Sequence, residues 1–151
     1  MTGERWPDKR ARAVLYAGAN RLHRDANGPE PDATADTGIA LRDLLFVDAE
    51  VREENADTKA HRIGYAADCM QFATLEPAPD GLALSLWVGT EHVAEAEADL
   101  GAEPHENPFR RMYGWVRIPV RPGQDVTAMA PWIGRAAQHA ADTKRGQHVS
   151  M

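Results

Sequence analysis

The sequence lacks the residues that several common protein classes require. A single cysteine, Cys69, excludes an intramolecular disulfide and a cysteine-based zinc site within one chain. Only two serines, Ser85 and Ser150, are present, and no G-x-S-x-G segment indicates a serine hydrolase. Glycine-rich phosphate loops of the G-x-x-x-x-G-K and G-x-G-x-x-G types are absent. Cys69 follows the acidic Asp68, which disfavours a thiolate, so we expect a buried or half-buried, unreactive thiol.

Long apolar runs and an excess of positive charge are also missing. No run approaches the roughly 18 apolar residues of a transmembrane helix, and the first ten residues contain no apolar signal-peptide core. We therefore expect a soluble, cytoplasmic protein without a membrane partner. The chain has 17 basic and 23 acidic residues, a net charge of −6, so we expect no nucleic-acid partner.

The patterns that are present predict an α+β fold. The 151 residues, 43% of them apolar, suffice for one domain with its own core. Helical and alternating periodicities follow one another in the order α-α-β-β-β-α-β-α. Short turns between consecutive strands favour an antiparallel sheet of about four strands, with the helices packed on one face. The stretch 50–59 is predicted to be a charged connector between the second helix and the first strand.

Composition divides the chain into three parts. Residues 25–35 are rich in proline and polar side chains, which is typical of a linker. We therefore predict an N-terminal helix and linker over 1–35, an α+β core over 36–142 and a flexible tail over 143–151. The ends are mildly basic and the middle is acidic, so a homodimer that pairs these regions is one assembly the charges allow.

The densest basic stretch of this acidic protein lies among aromatic residues. If residues 111–117 form a strand, Arg111, Tyr113, Trp115 and Arg117 share one face. Arginine beside aromatic rings can hold a phosphate, a carboxylate or a nucleobase by bidentate hydrogen bonds and stacking. The pattern predicts a small binding or accessory module that recognises an anionic small ligand or a partner protein. In the alternative interpretation, the strand faces solvent and its arginines pair with the acids of 91–106. The candidate binding residues are Arg62, Tyr65, Trp87, Arg110, Arg111, Tyr113, Trp115 and Arg117.

A small enzyme is the second hypothesis. Four aromatic side chains on predicted strands could line a pocket, although aromatic residues form ordinary cores more often: Tyr65, Phe72, Trp87 and Trp115. His61 precedes the first of these strands, with Arg62 beside it, and His61 or His92 is the candidate acid–base residue. Whether the chain is an enzyme stays open on these grounds.

A metal could assist such an enzyme. His92, Glu95 and Asp99 would share one face of a helix, and His105 or His61 could complete the ligand set. An acidic, solvated helix face produces the same spacing by chance. We therefore assign no metal and no cofactor.

Several segments together resemble a known but poorly characterised family. The matching residues are Thr58-Lys59-Ala60-His61-Arg62-Ile63, Phe72-Ala73, Leu82-Ala83-Leu84-Ser85-Leu86, Arg110-Arg111-Met112-Tyr113-Gly114-Trp115-Val116-Arg117-Ile118 and Trp132-Ile133-Gly134-Arg135-Ala136. Over about 58–140 they resemble a domain-of-unknown-function family common in actinobacteria, some of whose members are fused to predicted nucleases or transport proteins. The family often has a histidine where this chain has Tyr113 or Trp115. The resemblance implies a bacterial protein with this sheet-and-helix fold, and it implies no activity.

Overall fold

The computed structural model describes residues 5–47, 50–57 and 61–149. Two helices come first, and four strands follow them. A helix, a two-residue strand and a short helix then precede the last strand and the last helix. The helices are α1 (Asp8–Ala26), α2 (Pro31–Leu45), α3 (Val93–Leu100), α4 (Pro108–Met112) and α5 (Ala130–Val149). The strands are β1 (Val51–Asp57), β2 (Arg62–Ala67), β3 (Met70–Ala78), β4 (Gly81–Trp87), β5 (Glu103–Pro104) and β6 (Trp115–Val120).

The strands form one antiparallel sheet in the order β1-β2-β3-β4-β6-β5. The α+β class and the antiparallel sheet are confirmed, but the described residues contain six strands rather than about four. The additional strands are β5 and β1, and β1 occupies most of the predicted charged connector. Its charge pattern concealed the strand because Glu53, an acidic residue, points into the protein and is only 2% exposed.

Three long helices cover one face of the sheet, which we call the inner face. Alternation along β4 directs Leu82, Leu84 and Leu86 to this face, where they pack in one continuous core with Leu15 of α1 and Ile133 of α5. Helix α1 lies close to α2, because a Cβ atom on Gly38 would be 2.5 Å from the Leu15 side chain.

The predicted division of the chain can be compared with these elements. Helix α1 contributes fully buried side chains to the same core as the sheet, and the predicted boundary at residue 35 falls within α2. Helix α5 continues through most of the predicted tail to Val149, and the last two residues lie outside the described part of the chain.

A short segment, residues 105–113, which includes α4, lies on the opposite, outer face of the sheet, where Arg110 reaches Gln71 of β3 and the His105 ring packs against Trp115 of β6. The predicted strand over 111–117 is wrong in its first half. Asn107 caps α4 by accepting hydrogen bonds from the backbone N–H groups of Phe109 and Arg110, and Pro108 follows at the first helical position. Gly114 then reverses the chain at φ +93°, where its Cα approaches the backbone of Gly89 too closely for any side chain.

Candidate functional site

The outer face of the sheet carries small side chains beneath longer ones. Since the leucines of β4 point inward, Ala83 and Ser85 point outward, and Thr74 of β3 does the same. All three are buried, at about 1% exposure, although no long helix covers them. The side chain of Arg110, on α4, reaches across β4 and donates a 2.7 Å hydrogen bond to Oε1 of Gln71 on β3. Long polar side chains therefore form the cover of this face.

Three arginines from three different elements meet here, and we call the surface formed by Arg62, Arg110 and Arg117 the arginine face. Arg110 packs on the Trp115 ring, and Arg117 lies on the same face of β6 as Trp115. The charges of all three arginines lower the pKa of the nearby His105. Arg62 of β2 lies 3.2 Å from Oε2 of Glu76, and Arg117 of β6 donates a 2.8 Å hydrogen bond to Glu103. Two of the three positive charges therefore have a carboxylate partner.

Arg110 is the exception. Its guanidinium carbon lies 4.1 Å from the centre of the Trp115 ring, and its hydrogen-bond partner is the neutral amide of Gln71. Within the described residues it forms no salt bridge. Burial lowers the pKa of Arg110, the nearby charge of Arg62 lowers it further, and Glu76 only partly opposes them. A half-buried cation with a like-charged neighbour favours the approach of an anion.

Arg62 has unused hydrogen-bonding capacity. Its Nε atom is buried and has no hydrogen-bond partner among the residues that the structure describes. A buried donor without a partner is rare and costs roughly 1–3 kcal/mol. An oxygen atom of an anionic group would satisfy it, and Arg110 beside it would supply further N–H donors.

His105 lies buried within the arginine face. Its Nδ1 accepts a 3.0 Å hydrogen bond from the backbone N–H of Asn107. Burial, reinforced by the charge of Arg110, lowers the pKa of His105 to about 4. The ring is therefore neutral near pH 7 and contributes shape rather than charge to the surface.

This depressed pKa predicts a pH-dependent stability. The unfolded chain binds a proton at His105 near pH 6.5, whereas the folded protein does so only near pH 4. The free energy of unfolding should therefore fall as the pH is lowered through this interval, by about 1–2 kcal/mol from pH 7 to pH 5 after allowance for solvent screening. Urea unfolding of the wild type and His105→Gln at both pH values measures it. An equal loss in both proteins would contradict the assignment.

The structure brings together only some of the predicted binding residues. Arg62, Arg110, Trp115 and Arg117 share the arginine face, and the Trp87 ring stacks on Trp115 at a centroid distance of 6.4 Å. Arg111 instead donates to the backbone carbonyls of His105 and Glu106, and Tyr113, which directly follows α4, is 61% exposed. In the alternative interpretation the arginines pair with the acids of 91–106. This holds for Arg117, which pairs with Glu103.

The predicted aromatic pocket is not formed. Tyr65 points to the inner face and is fully buried, whereas Trp115 points to the outer face, so the sheet separates them. Phe72 is fully buried in the core. Trp87 reaches the end of the sheet, where it contacts the His139 ring at 4.5 Å.

The predicted catalytic histidines lie apart from each other. His61, in the turn before β2, packs against Gly18 of α1. Nδ1 of His92 lies 3.1 Å from Nη2 of Arg135 on α5. Of the other proposed metal ligands, Glu95 is bound by Arg135 and Asp99 accepts a hydrogen bond from Trp132. Across residues 5–47, 50–57 and 61–149, no group of three or more histidine, cysteine or acidic side chains is arranged to hold a metal.

Cys69 is exposed in the turn between β2 and β3, so its predicted burial is wrong. Asp68 and Cys69 both have positive φ angles, of 51° and 67°, and this turn projects the thiol away from the core.

Sequence reasoning missed one polar network on the inner face. Arg42 and Glu53 are both buried, and Arg42 donates to the two carboxylate oxygens at 2.5 and 2.8 Å. Glu53 also accepts from the Tyr65 hydroxyl and from the Trp6 backbone N–H, each at 2.8 Å, while Arg42 further binds Asp8 and the Trp6 carbonyl. Burial opposes the charge on Arg42, but its bonds to Glu53 outweigh it and raise the guanidinium pKa.

This network fastens the N-terminal segment to the sheet, and both carboxylate oxygens of Glu53 accept hydrogen bonds from the protein itself. One signal could have revealed it. Arg42 falls at helical spacing with Gly38 and Leu45, on the buried face of α2.

Comparison with known proteins adds no identity. The chain matches no protein-family model, no curated protein and no solved structure. The resemblance to a domain-of-unknown-function family therefore stays a prediction, and its first three residues, 58–60, lie outside the described part of the chain. Within the described residues, no helix combines the length and apolarity needed to cross a membrane.

Proposed function

We propose that the chain is a binding module that holds an anionic group, carried by a small ligand or by a partner protein, on the arginine face. The observation that carries the proposal is the arrangement of Arg110, which lies half-buried between Trp115 and Gln71 without a carboxylate partner in the described residues. The unpaired Nε of Arg62 supports it independently. Two guanidinium groups from different elements can then bind one phosphate or carboxylate.

The alternative of a small enzyme with a histidine acid–base receives less support. His61 and His92 lie against different helices, and no aromatic pocket connects them. His105, the histidine nearest the arginine face, has a pKa too low for acid–base chemistry near neutral pH. The binding hypothesis requires none of these groups to react.

Thermal unfolding in the presence of simple anions tests the proposal. Inorganic phosphate and malonate serve as probes, each compared with sodium chloride at equal ionic strength. At about ten times its dissociation constant, a bound probe should raise the midpoint by roughly 3–6 °C. The matched control is Arg21→Gln, which removes one exposed charge from α1 and should leave this rise unchanged. Equal midpoints in phosphate, malonate and chloride would contradict the proposal.

A further inference from the structure

Helix α4 and Tyr113, the residue that follows it, present three large apolar side chains to solvent. Phe109 is 72% exposed, Met112 59% and Tyr113 61%, which makes them the most exposed large apolar residues in the described part of the chain. Their spacing of three and four residues places them on one side of the helix, and we call them the α4 patch. Aromatic residues and methionine grouped in this way are typical of protein–protein contact surfaces.

The α4 patch is held in place by surrounding hydrogen bonds. Asn107 caps the helix, and Arg111 donates a 2.8 Å hydrogen bond to the carbonyl of His105. At the other end, the indole N–H of Trp87 donates to the carbonyl of Tyr113 at 2.7 Å. Because the backbone is already fixed, docking the patch would cost little conformational entropy.

A groove of complementary character lies elsewhere on the protein. It has a volume of about 540 Å³ and lies between α5, the turn after β2 and the chain after α2. Its walls are mostly small or apolar, with acidic residues among them: Val47, Glu50, Ala67, Asp68, Gly134, Ala137, Gln138 and Ala141. A Cβ atom added at Gly134, one of the lining residues, would meet nothing within 4 Å, so the groove has room for a side chain there. We call it the α5 groove.

We propose that the α4 patch of one copy of this protein docks into the α5 groove of a second copy. The chemistry of the two surfaces is complementary. The patch offers aromatic and thioether side chains flanked by the exposed Arg111, and the groove offers small apolar walls flanked by the exposed Asp68. This inference uses neither Arg110 nor Arg62, so it stands independently of the proposed anion site.

The positions of the two surfaces determine the kind of assembly. The α4 patch belongs to the segment on the outer face of the sheet, whereas the α5 groove is bordered by a helix of the inner face. Each copy therefore uses one surface to bind and a different one to be bound, which is a head-to-tail contact. Such contacts continue beyond a dimer unless the chain of copies closes into a ring. Three side chains seated in one groove make a small contact, which favours weak association that increases with concentration.

Sedimentation velocity from about 1 µM to about 1 mM tests the inference. The wild type should show a weight-average mass that rises through this range. Phe109→Ser/Met112→Ser removes the patch from an exposed surface, and Gly134→Leu fills the groove where space is open. Each should weaken self-association at least about tenfold. Tyr16→Ser, which changes an exposed aromatic side chain on α1, is the matched control and should associate like the wild type.

Mixing the two variants gives the sharpest result. The patch-deficient variant keeps its groove and the groove-filled variant keeps its patch, so an equimolar mixture should form a one-to-one dimer and stop there. Circular dichroism confirms that each variant is folded. If either is not, Arg111→Glu and Asp68→Lys replace them: each alone should weaken association, and their mixture should restore it. A wild type that stays monomeric, variants that associate like the wild type, or a mixture that remains monomeric would each overturn the inference.

Discussion

Replacing Arg42 with methionine should lower the free energy of unfolding by about 3–5 kcal/mol, the largest effect we expect for any single substitution in this protein. The substitution keeps most of the side-chain volume but leaves the Glu53 carboxylate buried without its cation. Glu53 would retain the N–H of Trp6 and the hydroxyl of Tyr65. Two neutral hydrogen bonds do not compensate for a charge that is removed from water.

The double variant Arg42→Met/Glu53→Met distinguishes a lost attraction from an uncompensated charge. With both charges removed, no buried ion remains, so we expect stability to recover to within about 1–2 kcal/mol of the wild type. Tyr65→Phe removes one hydrogen bond to a charged acceptor and should cost about 1.5–3 kcal/mol. Urea unfolding followed by circular dichroism measures all four proteins. A double variant less stable than the Arg42→Met single variant would contradict this explanation.

Replacing Arg110 with glutamine should weaken binding of inorganic phosphate at least about tenfold, since one charge-assisted hydrogen bond contributes about 1.5–3 kcal/mol. The same substitution should leave the ligand-free protein as stable as the wild type or slightly more stable. Burial and the charge of Arg62 both disfavour the Arg110 cation, and glutamine removes that cation while keeping a polar side chain near Gln71.

Isothermal titration calorimetry with phosphate measures the affinity, and thermal unfolding without phosphate measures the stability. Arg21→Gln changes the net charge equally on the opposite side of the protein, so any general electrostatic effect should appear in both variants. A phosphate affinity that falls equally in Arg21→Gln and Arg110→Gln, or in neither, would show that the arginine face is not the site.

Much of the architecture could be predicted from periodicity. The leucines of β4 alternate, and the apolar residues of α1 and α5 recur at helical spacing, because burial on one face selects them. Strand β1 could not be found in this way, since its inward residue is Glu53, whose burial depends on Arg42 from α2. Local pattern carries no information on such a distant partner.

The segment before β6 shows the same limit. Arg111, Tyr113, Trp115 and Arg117 alternate as a strand would, yet Asn107 caps a helix and Gly114 reverses the chain. Hydrogen bonds at the ends of the segment decided its structure. As a result, Arg111 lies in α4 and Tyr113 directly after it, and neither belongs to the sheet.

The sequence indicated the chemistry of the candidate site but not which residues form it. Arginine beside tryptophan indicated anion recognition, and Arg110 and Trp115 do lie together. Arg62 reaches the same surface only because β2, β3, β4 and β6 align in one register, with Arg62 beside Glu76 and Arg110 reaching Gln71. Register between distant strands is a property of the folded sheet, so one sequence could not show that these arginines meet.

The most direct test of the anion site is an NMR titration that follows the arginine Nε–H signals while inorganic phosphate is added at constant ionic strength. We expect saturable shifts for Arg62, whose Nε has no partner among the described residues, and for Arg110. The signals of Arg21 and Arg42, on other parts of the protein, should stay in place. Small, unsaturable shifts spread over all arginines, or saturable shifts away from Arg62 and Arg110, would show that the arginine face does not bind phosphate.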